Sequence, residues 1–318
     1  MKSSFTLFLP QASLAQLSQV GLSESEQLEF SPLQKDWQEY FAERIGYPQN
    51  ELPWSRLRQD QFGQMSSKKM VCCCDPVIMQ MTHRGAYMTG QSQLRLSAND
   101  AIRIVTRINE ELMHEGEQIN VIDQFAWLYT SEDNKKFEMP SIGALTGKDM
   151  FNFSYQGEDG KYFQQLSMEI QMLMKQMVDR GELESLPPET ILHVHFYDPV
   201  NLGERQHIPF IKDKGQLLVS DNELMKSFAK NIFMSHSPVS EFFSWEKSTK
   251  STPEIHDIYL ICFESEREQY SDAIDSWYRW LENYPKDNLY LVCQDGVVRS
   301  KTKNSLLKRI SSKVFAGN

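Results

Sequence analysis

The sequence predicts an α/β protein, in which helices flank a sheet. Short apolar runs typical of buried strands, such as residues 258–263, alternate with segments of helical periodicity, such as residues 223–232. This alternation is typical of strands that are joined by crossover helices. At 318 residues, 40% of them hydrophobic, the chain is long enough for one large domain or for two lobes.

The first elements are a strand and a helix. Residues 5–9 read Phe-Thr-Leu-Phe-Leu, a bulky apolar run typical of a buried strand. Apolar residues then recur at helical spacing from Trp37 to Ile45, and Gly46 follows them, which predicts an amphipathic helix closed by glycine. The prolines and glycine between Pro48 and Gly63 predict a loop-rich passage.

A hairpin is expected next. Residues 69–74 are typical of a buried strand, and we expect it to end at Asp75-Pro76, because proline cannot donate a hydrogen bond to a sheet. The chain then continues extended over 77–81, turns near Arg84-Gly85 and returns as a short strand at 94–96.

The best-defined helix is predicted at residues 97–116. Ser97 can cap its first turn with Asp100 three residues on, and Gly116 supplies a left-handed stop. Residues 125–129, which include Trp127, predict the following strand.

A second helix is predicted at residues 162–179, after a glycine-rich loop at 131–161. Its face includes Met168, Met172 and Met174. Such a face is adaptable enough for a promiscuous binding groove. The simpler interpretation is that these methionines fill gaps in the core between the helix and the sheet.

Strands and helices alternate in the last part of the chain. Residues 191–197 predict a strand that runs into a second Asp-Pro pair, Asp198-Pro199, and residues 289–293 predict a later strand. Loop signals break the chain near residues 63–67 and 181–188. They divide it into a core, residues 1–66 and 181–318, and an inserted lobe, residues 67–180.

Composition argues against two classes of partner. The net charge of −10 repels both a phosphate backbone and an anionic bilayer, so neither nucleic acid nor a membrane is expected. No apolar run approaches the length of a membrane span. The N-terminal apolar run stops at Pro10 and is too short for a signal peptide, so we expect a cytoplasmic protein.

The cysteines favour the same compartment. Their number is odd and their surroundings are apolar, which is typical of reduced thiols. Neighbouring residues of a strand face opposite ways, so three adjacent cysteines cannot share one ligand. The sequence also lacks the CxxC spacing that would suggest a zinc site. The five residues are Cys72, Cys73, Cys74, Cys262 and Cys293.

One histidine pair could ligate a metal ion. His193 and His195 are two residues apart on a predicted strand, so their side chains share a face. A third ligand would have to be Asp198 or His207. Because the HxH pattern has low specificity, we interpret the pair as part of a half-exposed sheet face and expect no metal.

A ligand site is the main hypothesis from the residues themselves. Ligands of α/β proteins bind beyond the carboxyl ends of strands, and both Asp-Pro pairs are predicted at strand ends. Arginine offers a fork of donors to a small anion such as phosphate, and histidine can add another. An exposed, solvated turn is the alternative for His83 and Arg84. The candidate residues are Asp75, His83, Arg84, His193, His195 and Asp198.

No complete catalytic motif occurs. Residues 143–148 read Gly-Ala-Leu-Thr-Gly-Lys, which lacks the spacing of a phosphate-binding loop, and Asp149 stands where the hydroxyl residue should be. The motifs GxSxG, HExxH and GxGxxG are absent from the sequence.

The sequence resembles a known family most specifically over residues 69–178. The segments that carry the resemblance are Cys74-Asp75-Pro76-Val77, Leu96-Ser97, Ile108-Asn109, Trp127 and the Glu-Ile-Gln-Met-Leu of residues 169–173. They resemble the bacterial RpfE-type regulatory proteins, which are similar to archaeal-type cofactor-independent phosphoglycerate mutases. The family's HPVN-type segment is replaced here by Gln-Met-Val-Asp at residues 176–179. The chain therefore resembles a divergent member.

The mutase resemblance implies an alkaline-phosphatase-like α/β core with an inserted smaller lobe. It also implies a two-metal site with a serine nucleophile, built from aspartates and histidines. The early Asp-Gly of that site is missing, because the first strand leads into Leu9-Pro10-Gln11-Ala12.

We therefore expect a protein related to these mutases that is catalytically inactive and acts in binding or regulation, without a cofactor. Its partner would be another protein or a small anionic ligand. One alternative is an active mutase or phosphatase that uses a divalent metal such as manganese or zinc. Another is a protein-interaction scaffold that uses the methionine-rich face.

Overall fold

The structure, a computed structural model, describes residues 4–9, 28–32, 37–47, 52–62, 68–89, 91, 94–203, 216–221, 223–232, 234–238, 257–261, 288–293 and 296–300. The chain divides into two compact units. The seven-stranded unit comprises Met1–Leu52 and Ile208–Asn318, and the five-stranded unit comprises Pro53–His207. Each unit is named after the number of strands that the structure describes in it.

The elements follow one another along the chain in this order. They are β1 (Ser4–Leu9), β2 (Leu28–Pro32), α1 (Trp37–Ile45), α2 (Trp54–Phe62), β3 (Met70–Thr82), β4 (Gly85–Met88), α3 (Ala98–Glu111), β5 (Glu117–Asp123), β6 (Ala126–Ser131), α4 (Ile142–Leu145), α5 (Gly160–Asp179), β7 (Leu192–Asn201), β8 (Gln216–Val219), α6 (Glu223–Asn231), β9 (Ser235–Ser237), β10 (Asp257–Ile261), β11 (Asn288–Cys293) and β12 (Gly296–Ser300), with a short 3-10 helix at Met150–Asn152.

The seven-stranded unit is a mixed α/β sheet. Its strand order is β2-β12-β11-β1-β10-β8-β9, and the five strands from β11 to β9 are parallel. Phe8 of the central strand packs edge-on against Phe41 of α1, and Phe41 also contacts Phe228 of α6. Gly46, at φ 76°, closes α1 as predicted. The predicted α/β class and the strands at β1, β10 and β11 are confirmed.

The five-stranded unit is built on one antiparallel sheet. β3 lies between β6 and β4 on one side and β7 on the other, and β5 pairs with β6. This unit begins earlier and ends later than the predicted lobe at 67–180, because α2 packs on β3 and β7 pairs with β3.

The prediction that β3 ends at Asp75-Pro76 is wrong, since the strand continues to Thr82. β6 pairs with β3 only as far as Cys73, and β4 begins to pair at Met79. The carbonyl of Pro76 points into the gap between them, where it accepts a hydrogen bond from Gln91 Nε2 at 3.4 Å. The N–H that proline lacks would point into the same gap. No sheet hydrogen bond is therefore lost at this position.

Three further boundaries differ from prediction. The return strand is β4 rather than residues 94–96, because Thr82 and Gly85 already pair across a two-residue turn. α3 starts at the predicted cap, where Ser97 Oγ accepts from Asp100 N at 3.1 Å, but it ends at Glu111. Gly116, at φ 84°, instead lies in the turn into β5, a strand that was not predicted.

The passage before β3 is also more regular than predicted. It contains α2, which begins directly after Pro53. Proline is common at the start of a helix, because the N–H that it lacks would have no partner there. Trp54, Leu57 and Arg58 recur at helical spacing and are all buried. The predicted helix at 162–179 is confirmed as α5.

The two faces of the five-stranded sheet are covered by different helices. Cys72 and Cys74 lie in the core that α3 and α5 cover, whereas Cys73 contacts Ser55 of α2. Alternate residues of a strand face opposite ways, so α2 lies on the other face. The thiols of these three cysteines are buried and free. Cys262 and the side chain of Cys293 lie outside the described residues.

Side chains close the two outer edges of this sheet. On β5, Asn109 of α3 donates to the carbonyl of Ile119 and accepts from its N–H, both at 2.8 Å. On β7, the carbonyl of Val194 accepts from Ser167 at 2.9 Å, and Phe196 N donates to Tyr155 at 3.0 Å. Unpaired edges invite the addition of another strand. These bonds occupy donors and acceptors of Ile119, Val194 and Phe196 that such a strand would use.

Asn109→Ala is expected to destabilise the protein by about 2 kcal/mol, because the N–H and carbonyl of buried Ile119 both lose their partner. Chemical denaturation measures the loss. Glu110→Ala, an exposed change on the same helix, should stay within about 0.5 kcal/mol of the parent. Equal unfolding midpoints for the two variants would contradict this role of Asn109.

Candidate functional site

A buried ion pair lies at the centre of the five-stranded unit. Arg58 of α2 donates from Nη1 to Asp75 Oδ1 at 2.5 Å and from Nη2 to Asp75 Oδ2 at 2.8 Å. Both side chains are almost fully buried, at 6% and 3% exposure. This two-point geometry is the one in which the guanidinium fork best matches a carboxylate. The pair attaches α2 to β3.

Two more donors complete the hydrogen bonding of the Asp75 carboxylate. Trp127 N donates to Oδ1 at 2.9 Å, and the Tyr197 hydroxyl donates to Oδ2 at 2.7 Å. An ionised carboxylate accepts about four hydrogen bonds. Protein groups therefore occupy every acceptor position of Asp75.

The electrostatics of the cluster favour one charged pair in an otherwise neutral environment. Burial is the largest influence on Arg58 and lowers its pKa, but the charge and hydrogen bonding of Asp75, together with smaller effects of Cys73 and Tyr197, raise the net pKa well above its usual value. Burial, reinforced by Asp75, also raises the pKa of the Tyr197 hydroxyl. Burial likewise raises the pKa of the Cys73 thiol. Tyr197 and Cys73 are therefore neutral at pH 7.

His195 lies beside this cluster in neutral form. Its Nε2 donates to the carbonyl of Pro140 at 2.8 Å, and its ring stacks on Tyr197 with centroids 5.8 Å apart. Burial lowers the pKa of His195 to about 4. Within the described residues its Nδ1 is buried without a hydrogen-bond partner.

His193 has a separate set of contacts. Its Nε2 lies 3.2 Å from Ser167 Oγ, and its Nδ1 lies 3.3 Å from Gln171 Oε1, both on α5. Burial, followed by the neighbouring His195, lowers the pKa of His193 to about 3. The two histidines are therefore neutral and engaged by different parts of the fold.

Asp198 lies at a bulge rather than at a strand end. The register of β7 against β3 shifts between Val71 and Cys73, and Asp198 adopts a φ of 52° there, so β7 continues through Asp198-Pro199 to Asn201. The predicted strand end is therefore wrong.

The bulge lets Asp198 cap α2. Asp198 Oδ2 accepts from Ser55 N at 2.7 Å, and its carbonyl accepts from Ser55 Oγ at 2.6 Å. A carboxylate at a helix N-terminus pairs with unsatisfied N–H groups and with the positive end of the helix dipole. Asp198 thus holds the first turn of α2, whereas Arg58 holds its middle.

His83 and Arg84 lie away from these residues. They form the exposed turn between β3 and β4. Asp75 lies within the same continuous strand, and at a rise of about 3.3 Å per residue it is roughly 25 Å from this turn. The structure therefore brings Asp75, His195 and Asp198 together but does not join them to His83 and Arg84. His207 lies outside the described residues.

Arg58, Ser55 and Tyr197 were not predicted as part of the site. The helical spacing of Trp54, Leu57 and Arg58 was the available signal for α2. Nothing in the sequence pairs Arg58 with Asp75, because that contact depends on the packing of α2 against the sheet.

The acidic and histidine residues described in this unit do not fit a two-metal site. Asp75 would have to give up bonds to Arg58 and Tyr197 to bind a cation, and His195 Nε2 is bonded to Pro140. Across the described part of the chain, no group of three His, Cys, Asp or Glu side chains is placed to hold a metal ion. The cluster positions α2 on the sheet.

Comparisons with known proteins give only distant likenesses. No family model matches the chain, and no curated protein matches it. One similar solved structure is a cofactor-independent phosphoglycerate mutase from Thermoplasma acidophilum, with 10% identity, a TM-score of 0.35 and coverage of 98% of this chain and 95% of that one. The PH0037 protein from Pyrococcus horikoshii has 9% identity, a TM-score of 0.43 and coverage of 94% and 86%.

The described helices also bear on the membrane prediction. None of them combines the length and the apolar character that are needed to cross a bilayer.

Proposed function

We propose that this protein acts by binding or regulation and has no phosphoglycerate mutase activity. The observation that carries the proposal is the Asp75 carboxylate, in which all four acceptor positions are taken by Arg58, Trp127 and Tyr197. Metal-assisted phosphoryl transfer needs carboxylates and imidazoles whose lone pairs can reach the ions. Asp75 instead stabilises the fold.

The chemistry of the neighbouring groups supports the same proposal. Cys73 and Tyr197 have raised pKa values, so neither supplies an anionic nucleophile near pH 7. His195 Nε2 carries a proton that it donates to Pro140. At the sequence level, Leu9-Pro10-Gln11-Ala12 replaces the Asp-Gly that the mutase resemblance implies.

The purified full chain is expected to show no conversion of 3-phosphoglycerate to 2-phosphoglycerate with added manganese, cobalt or zinc. A coupled assay measures the conversion, with an authentic mutase as positive control. Turnover that a chelator abolishes and added metal restores would overturn the proposal. It would favour the alternative of a metal-dependent mutase or phosphatase.

A protein-interaction scaffold is the second candidate. It is favoured by the outer face of α5, where Met168 and Met172 are 55% and 63% exposed, whereas Met174 is buried. The methionine-rich helix therefore contributes to the core on one side and presents an adaptable apolar surface on the other.

A further inference from the structure

The end of the β3–β4 hairpin combines exposed apolar and cationic side chains. Met81 is 55% exposed and Phe151 is 73% exposed, which is unusual for side chains of this size. Arg84 and Lys148 are exposed in the same two segments. We call Met81, His83, Arg84, Lys148 and Phe151 the hairpin surface.

Asp149 holds the two segments of the hairpin surface together. Its Oδ1 accepts from Ala86 N at 3.2 Å and from Phe151 N at 3.1 Å. Ala86 is the strand partner of Met81, so Met81 and Phe151 lie in the same region. A Cβ on Gly85 would lie only 2.4 Å from Asp149 Oδ2, so glycine is needed for this close approach.

The turn itself is also held in place. Thr82 Oγ1 accepts from Arg84 N at 3.1 Å and donates to the carbonyl of Gly85 at 3.2 Å. These hydrogen bonds hold the backbone of the turn before any partner binds, which lowers the entropic cost of association.

The charge of the hairpin surface is opposite to that of the chain. Residues 76–91 contain Arg84 and no acidic residue, and residues 139–153 contain Lys148 and one acidic residue, Asp149. The whole chain has 43 acidic and 33 basic residues. Asp149 is already engaged by two backbone amides, so Arg84 and Lys148 face outward without an acidic partner among the contacts of these segments.

We propose that the hairpin surface docks an acidic segment of a partner protein that also carries apolar side chains. Arg84 would pair with a carboxylate through its fork of donors, while Phe151 and Met81 bury apolar side chains. A protein segment suits the surface better than an anionic bilayer, because the net charge of −10 repels a large anionic surface. This inference rests on the proposed binding function and names the partner class.

A fluorescence-anisotropy titration tests the proposal on the full chain. The probe is a labelled synthetic peptide of alternating Glu and Leu with one Phe. Binding is expected and should weaken as salt rises. Arg84→Gln and Phe151→Ala should each weaken it about tenfold, the loss of one charge-assisted hydrogen bond or of one buried aromatic contact.

Matched controls distinguish binding at the hairpin surface from nonspecific binding. Lys175→Gln removes an exposed cation from α5, and Ile102→Ala removes an apolar side chain that is 54% exposed on α3; each should change the affinity less than about twofold, since surface changes away from a binding site have small effects. A melting curve checks that each variant is folded.

Several outcomes would overturn the docking proposal. They are no binding of the acidic peptide, equal binding of a peptide with Gln in place of Glu, full competition by inorganic phosphate, or binding to phosphatidylserine vesicles instead of the peptide. Mutase turnover in the separate assay would reject the proposed function. Loss of peptide binding in Arg84→Gln and Phe151→Ala would still locate a docking surface in that case.

Discussion

Replacing Asp75 by alanine is expected to destabilise the protein by about 3–5 kcal/mol, the usual loss when one partner of a buried ion pair is removed. Arg58, 5% exposed, would then carry a buried charge without its carboxylate. Trp127 N and the Tyr197 hydroxyl would lose their acceptor as well. Urea denaturation followed by tryptophan fluorescence measures the change.

A double-mutant cycle tests whether the loss comes from the pair. Arg58→Met combined with Asp75→Leu should lose less stability than the sum of the losses in Arg58→Met and Asp75→Leu alone, because only the single variants leave an unpaired charge buried. Asp60→Ala is the matched control, since Asp60 is 37% exposed and lies in the same helix as Arg58. Additive losses in the cycle, or a loss at Asp60 as large as at Asp75, would contradict the account.

Acidification should destabilise the protein between pH 6.5 and pH 4, before most carboxylates are protonated. Unfolded histidine binds a proton below its usual pKa of 6.5, whereas buried His195 does so only near pH 4. The unfolded state therefore binds more protons in this range, and stability falls as the pH falls. His195 contributes about 2 kcal/mol of loss between pH 7 and pH 5. His193 acts in the same direction.

Denaturation at pH 7 and at pH 5 measures this effect. In His195→Gln the difference in unfolding free energy between the two pH values should shrink by about the same 2 kcal/mol. His83→Gln, at the exposed turn, should leave the difference unchanged. An unchanged pH difference in His195→Gln would show that His195 is protonated in the folded protein at pH 5.

The elements with local signals could be predicted from the sequence. Ser97 predicted the start of α3, and Gly46 predicted the end of α1. Apolar periodicity predicted the position of α5. The continuity of β3 through Pro76 could not be predicted, because it depends on the gap that β6 and β4 leave beside the strand.

The candidate site was harder to predict for a related reason. Asp75 and Asp198 were selected as residues at strand ends, but both lie inside strands and bind α2. Their partners, Arg58 and Ser55, come from a helix whose contacts with the sheet are tertiary. A buried carboxylate has the same sequence signature whether it binds a metal ion or an arginine.

The hairpin residues, in contrast to Asp75, are exposed. His83 and Arg84 were selected for anion binding, and the structure leaves them exposed at the turn. Phe151 and Lys148, which share that surface through Asp149, come from a segment that was predicted only as a loop.

The metal content of the full chain distinguishes a role in binding from metal-dependent catalysis. The protein would be dialysed against manganese and zinc, washed, and analysed by elemental mass spectrometry together with Asp75→Asn. Substoichiometric metal is expected in both proteins. Two tightly held ions per chain, as a two-metal phosphoryl-transfer site requires, would contradict this expectation, most clearly if an Asp75→Asn protein that a melting curve shows to be folded lost them.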